Sequence, residues 1–251
     1  EIASDYSYSI VSIFANALTK FWTKVYNGVV FNHFEEFRAK SQKYEVIYAP
    51  CHRSHIDYLI MSYALHDRGV VPPHIAAGIN LNMPVIGSVL RRSGAFFIRR
   101  SFNSALYSTI FSEYLSALLT HGVSIEYFIE GTRSRTGRLL QPKAGMLAMT
   151  IKSYINERNK PLMFQPAHVN YEKLMEGNSY QNELGGMSKK GESLGGLFKA
   201  RKLLKQDYGR LTVNFSDPIL LDELLDKYKP NWREITLNHN IKPEWFKALV
   251  F

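Results

Sequence analysis

The sequence feature that most limits the fold is an alternation of strand-like runs and helix-spaced segments through residues 46–215. The strand-like runs are largely apolar and lie at residues 46–50, 74–79, 94–100, 123–129, 162–169 and 211–215. Most intervals between them carry apolar residues every three or four positions, the spacing of an amphipathic helix. Strands that alternate with helices form a sheet covered by helices. We therefore predict an α/β fold in which helices surround a mostly parallel or mixed central sheet.

Residues 1–44 precede this alternation and carry a helical pattern instead. The apolar positions at helical spacing are Ile10, Ile13, Phe14, Ala17, Leu18, Phe21 and Val25, followed by Phe31, Phe34 and Phe37. Trp22, Tyr26 and the nearby lysines also suit the headgroup region of a membrane. The pattern predicts an N-terminal helical segment at 1–44, packed on the core or on a membrane surface, and an α/β domain at 45–251.

The charge balance favours an anionic partner. The chain has 251 residues and a formal net charge of +9, from 31 Lys and Arg against 22 Asp and Glu. Such an excess attracts a phosphorylated substrate, coenzyme A, anionic lipid or nucleic acid. No run of Lys and Arg is longer than two, so nucleic acid is less favoured than a phosphate or a membrane surface. No apolar run reaches about 18 residues, so no transmembrane helix is predicted.

The stretch from Cys51 to Leu59 stands at a predicted strand-to-helix corner, where α/β folds place their chemistry. Two interpretations of it are open. Ser54 and Asp57 have the spacing of a capping box at a helix N-terminus. Alternatively, His52 is a general base and Asp57 orients its imidazole ring. The separation of five positions requires His52 to lie outside the helix and fold back in the second case.

Polar side chains follow the ends of three predicted strands. They are His52 and Asp57, Arg99 and Arg100, and Glu130, Arg133 and Arg135. In a parallel sheet the carboxyl ends of the strands line one edge, where ligands bind. Guanidinium groups match phosphate oxygens in a bidentate way, and a neighbouring base takes a proton from a hydroxyl group. The arrangement points to a phosphorylated alcohol, although each arginine taken alone also fits a solvated surface charge.

Other chemistries lack their motifs. His52 and His55 do not form H-E-x-x-H, and Cys51 is the only cysteine, so we expect no metal site and no intrachain disulfide. Cys51 and His52 are neighbours in an extended segment and point to opposite sides, so we expect Cys51 to be a small buried residue rather than a nucleophile. The phosphate-binding loop, the dinucleotide fingerprint and the G-x-S-x-G elbow are also absent.

Residues 171–196 differ from the rest of the chain. They hold six of the 16 glycines and are otherwise largely polar. A long irregular stretch inside a compact domain is usually functional, so we predict a loop or lid here.

Four blocks of the sequence carry a family resemblance. They are His52-Arg-Ser-His-Ile-Asp57, Gly94-Ala-Phe-Phe-Ile-Arg-Arg100, Phe128-Ile-Glu-Gly-Thr-Arg-Ser-Arg-Thr-Gly137 and Pro161-Leu-Met-Phe-Gln-Pro-Ala-His-Val-Asn-Tyr171. In the same order, they resemble the H-x4-D motif and the three following motifs of the glycerophospholipid acyltransferases. Within that family they are most similar to the membrane-associated glycerol-3-phosphate acyltransferases. The resemblance implies that the chain is the catalytic core of a longer acyltransferase.

The resemblance implies transfer of a fatty acyl group from acyl-CoA, or acyl carrier protein, to the sn-1 hydroxyl of glycerol 3-phosphate, which gives lysophosphatidic acid. It implies an enzyme associated with the cytoplasmic face of the bacterial inner membrane, with no cofactor besides the acyl donor. Thr132 and residues 191–204 resemble the dihydroxyacetone-phosphate acyltransferases as much, so that acceptor is an alternative. A second alternative is a non-catalytic module that binds anionic lipid, and a nucleic-acid partner is not expected.

The resemblance also implies roles for particular residues. His52 matches the catalytic base and Asp57 its partner, with direct attack on the thioester and no covalent acyl-enzyme. The residues at positions for substrate binding are Arg99, Arg100, Glu130, Gly131, Arg133, Ser134 and Pro166. We add Arg135 and Lys143 as further phosphate ligands because of their charge and position. For His55, between the members of the dyad, we expect a structural or solvent-facing role.

Overall fold

The computed structural model describes residues 2–99, 101–102, 104–157, 159–185, 207–235 and 243–250. Within these ranges the strands are β1 (Val29–Asn32), β2 (Glu45–Pro50), β3 (His74–Gly78), β4 (Ala95–Ile98), β5 (Ile125–Glu126), β6 (Leu162–Tyr171), β7 (Leu211–Phe215) and β8 (Ile219–Leu220). The α-helices are α1 (Tyr8–Val25), α2 (Phe34–Ser41), α3 (Asp57–Asp67), α4 (Ile86–Arg92), α5 (Ala105–Thr120), α6 (Ala144–Asn156), α7 (Gly177–Leu184), α8 (Leu221–Tyr228) and α9 (Glu244–Val250). None of the helices in these ranges is both long and apolar enough to cross a membrane.

The described strands form one mixed sheet in the order β1-β7-β6-β2-β5-β3-β4, with β8 beside β6. The strands β6, β2, β5, β3 and β4 run parallel to their neighbours, whereas β7 and β8 run antiparallel to β6. Parallel neighbours require crossover connections, which here contain helices. The predicted α/β fold with a mostly parallel or mixed sheet is confirmed. The carboxyl ends of β2, β5 and β4 consequently lie at the same edge.

Two apolar clusters hold the helices against the two faces of the sheet. Successive side chains of a strand point to opposite faces, so Tyr48 and Ile47 of β2 belong to different clusters. The cluster around Tyr48 includes Trp22 of α1 and Ile60 of α3. The cluster around Ile47 includes Phe111 of α5. The helix α1 therefore packs on the core, as one of the two predicted environments required.

The N-terminal segment departs from its predicted helical pattern at Val29–Asn32, which forms β1. This strand pairs in parallel with β7, from Val29 opposite Leu211 to Asn32 opposite Asn214. Residues 1–44 are therefore not wholly helical, and the segment contributes a strand to the central sheet. The sheet continues across the predicted boundary at residue 45.

The predicted strand at 123–129 is shorter in the structure, where β5 contains Ile125 and Glu126 alone. The N–H of Tyr127 still donates to the carbonyl oxygen of Tyr48 at 3.1 Å, and the chain then leaves the sheet. The predicted loop at 171–196 contains the helix α7, and its part from residue 186 onward lies outside the described residues.

Candidate active site

The predicted contact between His52 and Asp57 is present. β2 ends at Pro50, His52 follows two residues later, and Asp57 is the first residue of α3. The ring nitrogen Nδ1 of His52 lies 3.0 Å from Oδ2 of Asp57, whose side chain is fully buried. His52 lies outside the helix and folds back, as the dyad hypothesis required. With Nδ1 bonded to Asp57, Nε2 is the ring nitrogen left to accept a proton.

Asp57 also holds the turn that precedes α3. Its Oδ2 accepts hydrogen bonds from the backbone N–H groups of Arg53, at 2.6 Å, and Ser54, at 2.9 Å. These charge-assisted bonds fix the carboxylate as well as the turn. Only one half of the predicted capping box forms, namely the hydrogen bond from the N–H of Ser54 to Asp57. The other half is wrong, because the N-cap residue is Ile56 and the hydroxyl of Ser54 accepts from the N–H of Ile56 at 3.2 Å.

The loop after β5 fixes the other side of His52. The imidazole ring stacks on Phe128, with ring centroids 4.0 Å apart. The backbone N–H of His52 donates to Oε1 of Glu130 at 2.9 Å, and its carbonyl oxygen accepts from the N–H of Ser134 at 2.8 Å. The other oxygen of Glu130 accepts from the N–H of Leu140 at 2.9 Å. Glu130 and Ser134 are buried, and these hydrogen bonds join the loop after β2 to the loop after β5. Their predicted role in substrate binding stays a prediction.

A cavity of about 740 Å³ opens beside His52 at the carboxyl edge of the sheet. The predicted site residues that line it are His52, Arg99, Gly131, Arg133, Arg135 and Lys143. Arg99 directly follows β4, and the others after His52 belong to the segment 130–143, here named the arginine loop. The structure thus brings a base and several predicted phosphate ligands around one opening. Arg100 lies outside the described residues.

Part of the lining of the cavity is apolar. Side chains of α1, α3, β3 and α4 line it, among them Val11, Phe14, Ala15, Leu59, Ile75, Ala76, Ala77 and Leu90. His55 lines the same cavity. A cavity lined by both cationic and apolar side chains suits a ligand that has an anionic head and a hydrocarbon chain.

Gly131 gives Lys143 the space to reach the cavity. Its φ is +65°, a conformation that favours glycine, and an added Cβ would lie 2.7 Å from Cδ of Lys143. A side chain at residue 131 would therefore strain the backbone and displace the lysine.

Pro166, also predicted to bind substrate, lies inside β6 opposite Ala49 of β2. It is not among the residues that line the cavity, and its carbonyl oxygen accepts from the N–H of Ser216 at 3.1 Å. Pro166 therefore takes part in the sheet, and its predicted role in substrate binding stays a prediction.

Residues at and beyond the end of β6 complete the surroundings of the dyad. They lie in the fourth sequence block and in the predicted loop at 171–196, but the sequence assigned no role to any of them. The hydroxyl of Tyr171 donates to Oδ1 of Asp57. Burial and the negative charge of Asp57 raise the pKa of Tyr171, so the hydroxyl remains a donor. Glu176 and Tyr180 contact the turn before α3.

Cys51 is the small buried residue that the sequence predicted. Burial raises the pKa of its thiol above the ordinary value. The protonated thiol is a poor nucleophile, so the chemistry of the site rests with His52.

Another buried carboxyl group lies beneath α3. Glu126 stands opposite Tyr48 in the sheet, and Tyr48 belongs to the cluster that contains Ile60 and Met61. The side chain of Glu126 is fully buried, and neither oxygen has a hydrogen-bond partner within the described ranges. Burial and the charge of Asp57 raise the pKa of Glu126 well above its ordinary value. Both effects favour the neutral form of Glu126 in the folded protein.

Replacing Glu126 with glutamine is expected to stabilise the protein more at high pH than at low pH. Above about pH 4.5 the unfolded chain releases the proton of Glu126 and the folded protein keeps it. Each further pH unit below the folded pKa then lowers the free energy of unfolding by about 1.4 kcal/mol. The neutral amide of Glu126→Gln removes this loss, so thermal unfolding should show a larger gain in Tm at pH 8 than at pH 5.

The expected gain in Tm is about 2–4 °C for each kcal/mol recovered. The exposed substitution Glu234→Gln serves as the control and should leave Tm unchanged at both pH values. An equal effect of Glu126→Gln at pH 5 and pH 8 would contradict a neutral Glu126.

Residues 30–167 match the family model described as Acyltransferase, which covers 138 of the 251 residues. Residues 180–251 match the model described as the C-terminal region of glycerol-3-phosphate acyltransferase. The first match contains the dyad, Arg99 and the arginine loop. The chain therefore belongs to the acyltransferase family, as its four sequence blocks predicted.

Two similar curated relatives are named glycerol-3-phosphate acyltransferase. That of Pseudomonas fluorescens strain SBW25 is 53% identical over 246 residues, which are 98% of this chain and 29% of the relative. That of Xanthomonas axonopodis pv. citri strain 306 is 52% identical over 252 residues, which are 100% of this chain and 28% of the relative. The chain thus spans less than a third of the length of these relatives.

The fold also resembles a solved structure, the 1-acyl-sn-glycerophosphate acyltransferase PlsC from Thermotoga maritima. The two share a TM-score of 0.51 over 96% of this chain and 77% of the other, with 17% sequence identity. At that identity the likeness concerns the fold alone.

Proposed function

We propose that the chain transfers a fatty acyl group from an acyl thioester to the sn-1 hydroxyl of glycerol 3-phosphate and produces lysophosphatidic acid. The observation that carries the proposal is the 3.0 Å contact between His52 and Asp57 at a cavity lined by both cationic and apolar side chains. The names of relatives that are 53% and 52% identical support glycerol 3-phosphate as the acceptor.

The proposed reaction is a direct acyl transfer. Nε2 of His52 takes the proton of the sn-1 hydroxyl, and the oxygen attacks the carbonyl carbon of the thioester. The C–S bond then breaks, and the imidazolium returns the proton to the leaving thiolate. Asp57 keeps the proton of the ring on Nδ1 and stabilises the transient positive charge. The reaction uses acyl-CoA or acyl carrier protein as co-substrate, and no metal, cofactor or covalent acyl-enzyme.

The two parts of the cavity suit the two parts of the substrates. The proposed ligands of the acceptor phosphate are Arg99, Arg133, Arg135 and Lys143, with Arg100 as a further candidate. The acyl chain is proposed to lie against the apolar lining residues. The net charge of +9 favours an anionic surface, so we place the reaction at the cytoplasmic face of the bacterial inner membrane.

An acceptor comparison tests the proposal. Purified protein is given radiolabelled palmitoyl-CoA, or palmitoyl-acyl carrier protein, together with glycerol 3-phosphate, dihydroxyacetone phosphate or lysophosphatidate. We expect acylation of glycerol 3-phosphate with the highest kcat/KM. A preference for dihydroxyacetone phosphate would correct the acceptor, and no acylation with either donor would overturn the proposed function.

Replacing Lys143 with methionine is expected to raise KM for glycerol 3-phosphate about tenfold, because a charge-assisted hydrogen bond from a solvent-exposed side chain to the phosphate is lost. The value of kcat should change less than about threefold, since the phosphate lies away from the reacting hydroxyl. Initial rates at varied acceptor concentration measure both constants. Lys40→Met, on the outer helix α2, is the matched control, and an unchanged KM for Lys143→Met would remove Lys143 from the phosphate site.

A further inference from the structure

The chain at the end of β6 turns back over the segment between His52 and Asp57. In ten residues, 171–180, it directs three polar side chains at that segment or at Asp57 itself: Tyr171, Glu176 and Tyr180. These side chains are 114, 122 and 127 positions from the residues they contact. Such a concentration of long-range polar contacts on the turn beside the dyad calls for a role beyond packing.

Tyr171 completes the hydrogen bonding of Asp57. One carboxylate oxygen, Oδ2, already accepts from His52, Arg53 and Ser54. The other oxygen, Oδ1, accepts from the hydroxyl of Tyr171. Donors on both oxygens leave the carboxylate no freedom to rotate about its terminal bond, so the direction in which it holds the His52 ring is fixed.

Glu176 holds the turn itself. Its carboxylate accepts from the hydroxyl of Ser54 at 2.9 and 3.0 Å and from the backbone N–H of His55 at 2.8 Å. Asp57 binds the N–H groups of Arg53 and Ser54 from inside the turn. The two carboxylates therefore accept hydrogen bonds from three consecutive N–H groups, those of residues 53–55.

Tyr180 connects this turn to the arginine loop. Its hydroxyl donates to the carbonyl oxygen of Arg53 at 3.0 Å and accepts from Nη1 of Arg133 at 2.9 Å. Tyr180 is 5% exposed, and burial raises the pKa of its hydroxyl, which keeps the donor proton in place. The guanidinium of Arg133 thereby has a set position relative to the turn that carries His52.

We propose that Tyr171, Glu176 and Tyr180 form a clasp of positioning residues, which aligns the dyad and holds Arg133 at a fixed distance from it. The proposal rests on the proposed function for what the alignment achieves. A phosphate bound at Arg133 and a hydroxyl facing His52 belong to one small acceptor, so the spacing of these two groups decides whether the hydroxyl meets the base. Tyr171 and Glu176 orient His52, through Asp57 and through the turn, whereas Tyr180 sets the distance between Arg133 and His52.

Removal of single hydroxyl groups tests the clasp, because phenylalanine keeps the packing of each ring. Tyr171→Phe is expected to lower kcat about 10–100-fold, as loss of an orienting partner commonly does, with KM for glycerol 3-phosphate within twofold or so. Tyr180→Phe is expected to raise that KM about tenfold and to change kcat less than about threefold. The matched control is Tyr26→Phe, because the Tyr26 hydroxyl is buried in the same region and has no hydrogen-bond partner within the described residues.

Amide hydrogen exchange supplies a readout that needs no activity. Glu176→Ala should speed exchange of the His55 amide at least about tenfold, because its acceptor is lost, whereas Glu176→Gln keeps an acceptor oxygen and should restore much of the protection. The clasp is overturned if Tyr171→Phe and Tyr180→Phe both have the kcat and KM of Tyr26→Phe in an active enzyme. It is also overturned if Glu176→Ala leaves the exchange rate of the His55 amide unchanged. If the wild-type protein acylates no acceptor, the proposed function fails, and the exchange result still decides whether the clasp holds the turn.

Discussion

Replacing His52 with alanine is expected to lower kcat by roughly 10²–10⁴, because the variant lacks the base that takes the proton of the acceptor hydroxyl. KM for glycerol 3-phosphate should stay within about threefold, since the cationic side chains that line the cavity are unchanged. Steady-state rates with saturating acyl donor measure both constants. Activity close to that of the wild type would exclude His52 as the base and with it the proposed mechanism.

Loss of folding would imitate loss of the base, so the His52 variant needs two further measurements. Asp57 keeps three hydrogen-bond donors without the imidazole, from Arg53, Ser54 and Tyr171. We therefore expect a loss of only about 1–2 kcal/mol in the free energy of unfolding. Circular dichroism and Tm check this, and His121→Ala, at the exposed end of α5, controls for the removal of a histidine.

The elements that the sequence predicted well are those whose pattern is local. Leu211–Phe215 has the same bounds in the structure as in the prediction, because apolar residues alternate there and Asp217-Pro218 follows. β1 was missed because Phe31, Phe34 and Phe37 have helical spacing, although Phe31 lies in a strand and the other two in a helix. Pairing with β7, about 180 residues away, decides the structure of that segment, and no local pattern contains such pairing.

The same distinction between local patterns and long-range contacts separates the site residues that the sequence predicted from those that it did not. His52, Asp57, Arg99 and the arginine loop could be brought together from the sequence, because each follows a strand whose carboxyl end lies at one edge of the sheet. Tyr171 could not, because it meets Asp57 at the end of β6, which extends past the last residue that pairs with β2. The contacts of Glu130 with the backbone N–H groups of His52 and Leu140 could not be predicted either, because no sequence pattern shows which backbone groups a carboxylate meets.

Replacing Asp57 with asparagine is expected to lower kcat by roughly 10²–10⁴ and to leave the fold intact. The amide oxygen can replace Oδ2 and accept from Arg53 and Ser54, while the NH₂ group takes the position of Oδ1 and donates to the hydroxyl of Tyr171. The turn is thus kept, but the negative charge that stabilises the imidazolium is lost. A stable Asp57→Asn protein with near wild-type kcat would show that the charge of Asp57 has no part in the reaction.

The same substitution separates the action of Tyr171 from general packing. The Tyr171 hydroxyl is proposed to affect His52 only by orienting the carboxylate of Asp57. Removing the hydroxyl should therefore lower kcat little in a variant that already lacks this carboxylate. The double variant Asp57→Asn/Tyr171→Phe should then have a kcat within about threefold of Asp57→Asn alone, although Tyr171→Phe lowers kcat about 10–100-fold in the wild-type background. Multiplicative losses would show that the two residues act independently. Such a result would leave the hydrogen bond between them without a role in the reaction, because the free energy of coupling across the cycle would be zero.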